Sequence, residues 1–110
     1  MDIGADKVGE VVLLAREMTE EFVGAEDQFD GLLEAMDVDE LADLVALLWI
    51  GRGDFEPEEW DEARRTAMEE ATTPTASYLK GTDHLADHLE AGLEAMGLSA
   101  VDAEDGALEG

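Results

Sequence analysis

A ten-residue run near the middle of the chain, Leu41–Ile50, is apolar on almost every side and is interrupted only by Asp43. A helix that is apolar around its whole circumference belongs in the middle of a domain, covered by other helices. The run is too short to cross a bilayer, which needs about 20 residues. It therefore predicts a central buried helix in a small domain.

Amphipathic patterns lie on both sides of this run. Apolar residues recur there at three- and four-residue spacing, which is typical of one face of a helix. The patterned segments are residues 5–24, a weaker one at 25–36, one that begins at Pro57, a short one that begins at Pro74, and the last one at 85–96. We predict an all-α fold, a small bundle of about five helices around the central buried helix. Residues 1–97 would form the single domain, and 98–110 an acidic C-terminal tail that is partly disordered.

Glycines suggest where helices end and where they touch. Gly24 is placed to end the first helix, and Gly51 and Gly53 to end the central one, because glycine adopts a left-handed backbone readily. Gly92 lies inside the last helix, where it costs about 1 kcal/mol relative to alanine. It therefore predicts either a close helix crossing or room for a neighbouring side chain.

Short polar side chains indicate where helices begin, because their oxygens accept hydrogen bonds from the free N–H groups of the first turn. Asp37 or Asp39 is expected to cap the central helix, and Thr82 or Asp83 the last one.

The charge is extreme: 30 Asp and Glu residues face only six Lys and Arg, for a net charge of −24. Such a surface repels itself in dilute salt, whereas at 1 M salt the Debye length falls to about 3 Å. The acids are spread over the whole chain, which favours a halophilic protein over a functional acidic surface, such as a nucleic-acid mimic or a trap for a basic partner. The same charge argues against binding to nucleic acid. The first residues lack the pattern of a secretory signal, no run suits a membrane, and we expect a cytoplasmic protein.

Four short segments from Leu44 onward resemble those of a known family: LVALLWIGRGDF, PEEW, TASYLKG and LADHLEAGL. They are similar to the domain-of-unknown-function family 3775, small helical proteins, over roughly Val38 to Leu98. The resemblance implies an all-α fold and no assigned activity. The positions that carry it are Trp49, Gly51, Arg52, Gly53, Asp54, Trp60, Tyr78, Gly81 and Asp87.

A metal site is one reading of His84, Asp87 and His88, which stand at i, i+3 and i+4 and would share one helix face. Two imidazoles and a carboxylate are suitable ligands for Zn²⁺. The alternative is that they are polar residues beside an apolar stripe. The segment HLADH is not the HExxH of metalloproteases.

A ligand site is one reading of Arg52 and Asp54, with Trp60 and Tyr78 as pocket-lining aromatics. Arg52 would be the first candidate to meet a small anionic ligand. The structural alternative is that Arg52 pairs with Asp54 and fixes the corner after the central helix, while the aromatics belong to the core.

No catalytic arrangement is recognisable. The chain has no cysteine, and Ser77 and Ser99 lie in no nucleophile motif. We therefore predict no cofactor and a non-catalytic protein-interaction or regulatory module, whose partner is another protein or a second copy in a homodimer. The alternative is a small metal- or anionic-ligand-binding protein or an enzyme.

The charge gives a testable prediction. The midpoint of thermal unfolding should rise steeply between low salt and about 2 M KCl, because screening relieves self-repulsion of the folded state. Circular dichroism melts over a KCl series measure this, and a midpoint that does not respond to salt would contradict the halophilic interpretation.

Overall fold

The computed structural model describes residues 3–70 and 74–97, and this part of the chain is helical and contains no strand. Its elements are α1 (Ala5–Thr19), α2 (Ala25–Glu34), α3 (Val38–Arg52), a 3₁₀ turn (Pro57–Glu59), α4 (Trp60–Glu69), α5 (Thr75–Lys80) and α6 (Leu85–Ala95). The all-α prediction is confirmed. The predicted tail, 98–110, lies outside the described residues.

Helix α3 is the centre of the bundle, as the apolar run predicts. Leu44, Leu47 and Leu48 are fully buried, and they join one core with buried residues of α1, α2, α5 and α6. Helix α4 adds Ala63 and Ala67, whose small side chains are buried. Because every face of α3 is covered, its apolar run needs no amphipathic pattern.

Asp37 is the N-cap of α3, which confirms one of the two expected caps. Its Oδ1 accepts a hydrogen bond of 2.8 Å from the Glu40 N–H, and Glu40 Oε1 accepts one of 3.3 Å from the Asp37 N–H. This reciprocal capping box satisfies two donors at the start of the helix.

Helix α3 ends at Arg52, and Gly53 follows it in the left-handed conformation with φ 87°. The Gly53 N–H bonds to Ile50 O and the Asp54 N–H bonds to Trp49 O, which is the Schellman pattern. The expectation that Gly53 ends the helix is confirmed. Gly51 lies inside α3, so the expectation that it also supplies the helix stop is wrong.

Helix α1 ends at Thr19, five residues earlier than the sequence pattern indicates. The Glu21 N–H bonds to Met18 O and the Phe22 N–H bonds to Glu17 O, so a Schellman turn is built around Glu21 at φ 62°. A non-glycine residue rarely adopts this conformation, and nothing in the local sequence marks it. Gly24, with φ 85°, precedes α2 as its N-cap and does not end α1.

His84 is the residue that precedes α6, and it too is left-handed, with φ 57° and no capping hydrogen bond from its side chain. The expectation that Thr82 or Asp83 caps α6 is wrong. Thr82 Oγ1 instead donates a 3.0 Å hydrogen bond back to Tyr78 O at the end of α5.

Helices α3 and α6 cross in close backbone contact at two glycines. A Cβ built on Gly92 would overlap the Leu47 carbonyl oxygen, and a Cβ built on Gly51 would overlap the His88 carbonyl oxygen. Each helix thus places a glycine against the backbone of the other. The predicted close crossing at Gly92 is confirmed, and Gly51 is its counterpart on α3.

Asp43, the one charged residue in the apolar run, is completely buried. Its Oδ1 accepts a 2.7 Å hydrogen bond from Arg64 Nε of α4, and its Oδ2 accepts a 2.9 Å hydrogen bond from the Ile3 N–H. Burying an unpaired carboxylate is costly, so these partners decide which segments can lie against this side of α3. Asp43 therefore specifies the positions of α4 and of the segment before α1.

Substitution of the crossing glycines tests this geometry. Gly92→Ala should lower the free energy of unfolding by about 3 kcal/mol, because the added methyl group meets backbone that cannot move without shifting a helix. The matched control is Gly31→Ala in α2, where a Cβ would meet nothing within 4 Å. That change should raise the free energy of unfolding by about 0.5–1 kcal/mol. Urea unfolding at one fixed KCl concentration measures both, and equal effects would contradict the close crossing.

Candidate functional site

Two of the concave regions on the described surface contain the candidate residues. The larger, here called the α1–α6 groove, has a volume of about 970 Å³ and lies between the end of α1, the start of α2 and the turn before α6. The smaller, here called the Arg52 depression, has a volume of about 820 Å³ and is lined by Arg52, Asp54, Ser77, Tyr78, Gly81, Thr82, Asp83 and His88.

Arg52 and Asp54 form the wall of the depression that follows α3. Both Nε and Nη2 of Arg52 donate to Asp54 Oδ2, over 3.0 and 2.7 Å. These hydrogen bonds, and to a smaller extent the neighbouring Tyr78, raise the pKa of Arg52 above its ordinary value. The predicted corner ion pair is therefore present, and the guanidinium stays charged at any physiological pH.

Tyr78 of α5 also lines the depression and lies beside Arg52. Its hydroxyl oxygen accepts a 3.0 Å hydrogen bond from Trp49 Nε1, and the Trp49 ring stacks on Phe55 with 5.8 Å between the ring centroids. An aromatic residue with its polar atom bonded in this way is held in one orientation. The hydrogen bond from Trp49, whose ring is itself held by Phe55, thus fixes the position of the Tyr78 hydroxyl.

The structure brings together three of the four residues proposed for a ligand site. Arg52, Asp54 and Tyr78 line the same depression, whereas Trp60 does not. Trp60 begins α4 and lies half-buried against the core. Half-buried His88 joins the depression from α6, a neighbour that the sequence spacing did not indicate.

The three candidate metal ligands are divided between the two concave regions. His84 and Asp87 line the α1–α6 groove, and His88 lines the Arg52 depression. His84 Nδ1 lies 3.8 Å from Asp87 Oδ2, and the two imidazole rings are 6.4 Å apart at nearly a right angle. Within residues 3–70 and 74–97, no group of three or more His, Asp or Glu side chains is placed to hold a metal ion. The metal site stays a prediction from the sequence that this geometry does not favour.

The α1–α6 groove has an exposed apolar lip. Phe22 lines the groove and is 59% exposed, and Val23 beside it is fully exposed. Half-buried Met18 and buried Leu85 form apolar parts of the wall. Two large apolar side chains therefore stand side by side in solvent at this edge of the groove.

The charges around the groove are mostly negative and its cations are already paired. Arg16 forms ion pairs with Glu90 and, at 3.8 Å, with Asp87. Lys80 donates to Asp30 and Glu26, and the hydrogen bond to Asp30 is the main cause that raises the Lys80 pKa. The groove is also lined by carboxylates, namely Glu20, Glu21, Glu26, Asp27, Asp83 and Asp87.

This groove was missed by reasoning from the sequence. Phe22 continues the apolar spacing of residues 5–24, which predicts it on the buried face of the first helix, whereas the early end of α1 places it in solvent. Both non-glycine residues with positive φ, counted over the described part of the chain, are Glu21 and His84, and both line this groove. No residue pattern in the sequence predicts the left-handed conformation of either residue.

Comparison with known proteins gives one match. Residues 26–98 match the profile of a protein family of unknown function, DUF3775. The chain belongs to this family. No curated protein and no solved structure matches it.

The family match covers all of one concave region but only part of the other. Every residue that lines the Arg52 depression falls within residues 26–98, whereas α1 and Phe22 of the groove lie before them. A membrane-spanning role has no candidate segment in the described residues, where each helix is too short or too polar to cross a bilayer.

Proposed function

We propose that this protein is a non-catalytic protein-interaction module that binds a partner protein through the α1–α6 groove. The observation that carries the proposal is the exposed pair Phe22 and Val23 at the lip of the groove. Aromatic side chains with apolar neighbours are the usual anchors of protein interfaces. The turn that carries them holds Glu21 at φ 62°, a conformation that costs free energy and presents both side chains to solvent.

Charge complementarity decides what kind of partner fits. The groove is lined by six carboxylates and two cations, and both cations are engaged in ion pairs within the chain. A partner segment with an apolar anchor flanked by Lys or Arg residues meets both features. A second copy of the chain would bring its own negative surface, so a homodimer through this groove is the less favoured occupant.

The proposal is specific to this chain in one respect. Because α1 lies outside residues 26–98, the groove is not a surface that the family match extends to other members. We place the module in the cytoplasm of a cell with high internal salt, a proposal supported by the 30 acidic and six basic residues.

A peptide selection with matched variants tests the proposal. Peptides selected from a random displayed library against the intact protein should bind it, and Phe22→Ser should weaken the binding at least tenfold because the anchor contact is lost. Fluorescence anisotropy at one fixed KCl concentration measures the affinities. Val23→Ser should act in the same direction, since Val23 shares the lip.

The control is Val38→Ser, which removes the same side chain as Val23→Ser from a position that is 67% exposed and outside the groove. Its affinity should stay within twofold of the unsubstituted protein. Peptides that bind Phe22→Ser and Val23→Ser as tightly as Val38→Ser would contradict the groove as the contact surface. Failure to recover any binding peptide would contradict the interaction function itself.

A further inference from the structure

We propose that the Arg52 depression is a binding site for a carboxylate group, held by Arg52 and Tyr78. This site is separate from the α1–α6 groove, and the inference does not depend on the proposed function. It rests on how these two side chains are bonded and on which of their donors remain.

The guanidinium of Arg52 keeps an edge that Asp54 does not use. It has five N–H groups, and the two bonds to Asp54 use only Nε and one hydrogen of Nη2, both directed at Oδ2. The outer edge, formed by Nη1 and the second hydrogen of Nη2, is not used by Asp54, and Tyr78 lies beside the guanidinium. Guanidinium groups bind carboxylates through two parallel N–H groups on one edge, so Asp54 orients Arg52 without occupying it.

The hydroxyl group of Tyr78 can still donate a hydrogen bond. Its oxygen accepts the Trp49 Nε1–H, while its own hydroxyl hydrogen meets no acceptor among the described residues. A phenol held in this way can donate one further hydrogen bond into the depression. A carboxylate whose two oxygens meet the outer edge of Arg52 can therefore accept a further hydrogen bond from the Tyr78 hydroxyl on one of them.

The parts of this site are held on rigid elements. Arg52 ends α3 directly after Gly51, whose contact with the His88 backbone fixes that end against α6. Tyr78 is fixed by Trp49, which stacks on Phe55. Donors that are already oriented lose little conformational entropy when a ligand binds.

The surrounding charge limits the ligand to a single negative group. Asp54 and Asp83 line the depression together with Arg52, and the chain carries a net charge of −24. A phosphate dianion would be repelled more strongly than a monoanion of the same size. The depression is wide open to solvent, so a small ligand would be held at the surface by these side chains.

The carboxylate could belong to a small organic acid or to the C-terminus of a peptide, and two probes distinguish these sources. Sodium acetate offers the carboxylate alone, and N-acetyl-glycylglycine offers a peptide C-terminus. Each is titrated into ¹⁵N-labelled full-length protein, with KCl adjusted to hold the ionic strength constant. The signals followed are the Arg52 Nε–H and the backbone amides of Gly53 and Gly81.

The expected result is a set of saturable shifts confined to these signals. Tighter binding of the peptide probe assigns the site to a chain terminus, and equal binding assigns it to small acids. Arg52→Gln should weaken binding at least tenfold, and Tyr78→Phe about three- to tenfold, because the two donors differ in charge. Arg52→Lys keeps the charge and should fold like the unsubstituted protein, yet it loses the two parallel N–H groups and should also bind more weakly.

Arg65→Gln is the matched control, because it removes one positive charge from exposed Arg65 of α4, outside the depression. Its affinity should remain within twofold. Shifts that do not saturate, or equal losses in Arg52→Gln and Arg65→Gln, would overturn the proposal, since the effect would then be one of general charge. Unchanged binding in both Arg52→Lys and Tyr78→Phe would overturn it as well.

Discussion

The backbone contact between α3 and α6 is the constraint on which the other features depend. Helix pairs ordinarily lie 8–10 Å apart because side chains separate them, whereas here Gly51 and Gly92 allow backbone to meet backbone. The contact positions the start of α6 against the end of α3, and His88 consequently lies beside Arg52. The far side of α6 then meets α1 through the Arg16–Glu90 ion pair, where the α1–α6 groove begins.

Much of this fold could be predicted from local sequence. The apolar run identified α3, and the two candidates for its cap and for its end included the correct residues, Asp37 and Gly53, because each of these signals acts within a few residues. Gly51 shows the limit of such reasoning. A glycine two residues before another glycine is typical of a helix end, and only the position of His88 on a different helix reveals its other role. Phe22 shows the same limit, since the apolar spacing continues past the residue where the backbone turns.

The candidate site was predictable where its members are close in sequence. Arg52 and Asp54 are two residues apart, and their pairing follows from that spacing. Tyr78 shares their depression because its hydroxyl is bonded to Trp49 of α3, whereas Trp60 packs against the core at the start of α4. The spacing of His84, Asp87 and His88 places side chains on one face only if all three are helical. His84 precedes α6 with φ 57°, so that premise does not hold.

The backbone contact between α3 and α6 is tested most directly by proton distances at the helix crossing. In a nuclear Overhauser spectrum of the folded protein in KCl, the Hα protons of Gly92 should show strong contacts with backbone or Hα protons near Leu47. Those of Gly51 should show the same with protons near His88. Helices at ordinary spacing place these protons too far apart for such signals. Their absence would contradict the crossing, and with it the placement of both surfaces.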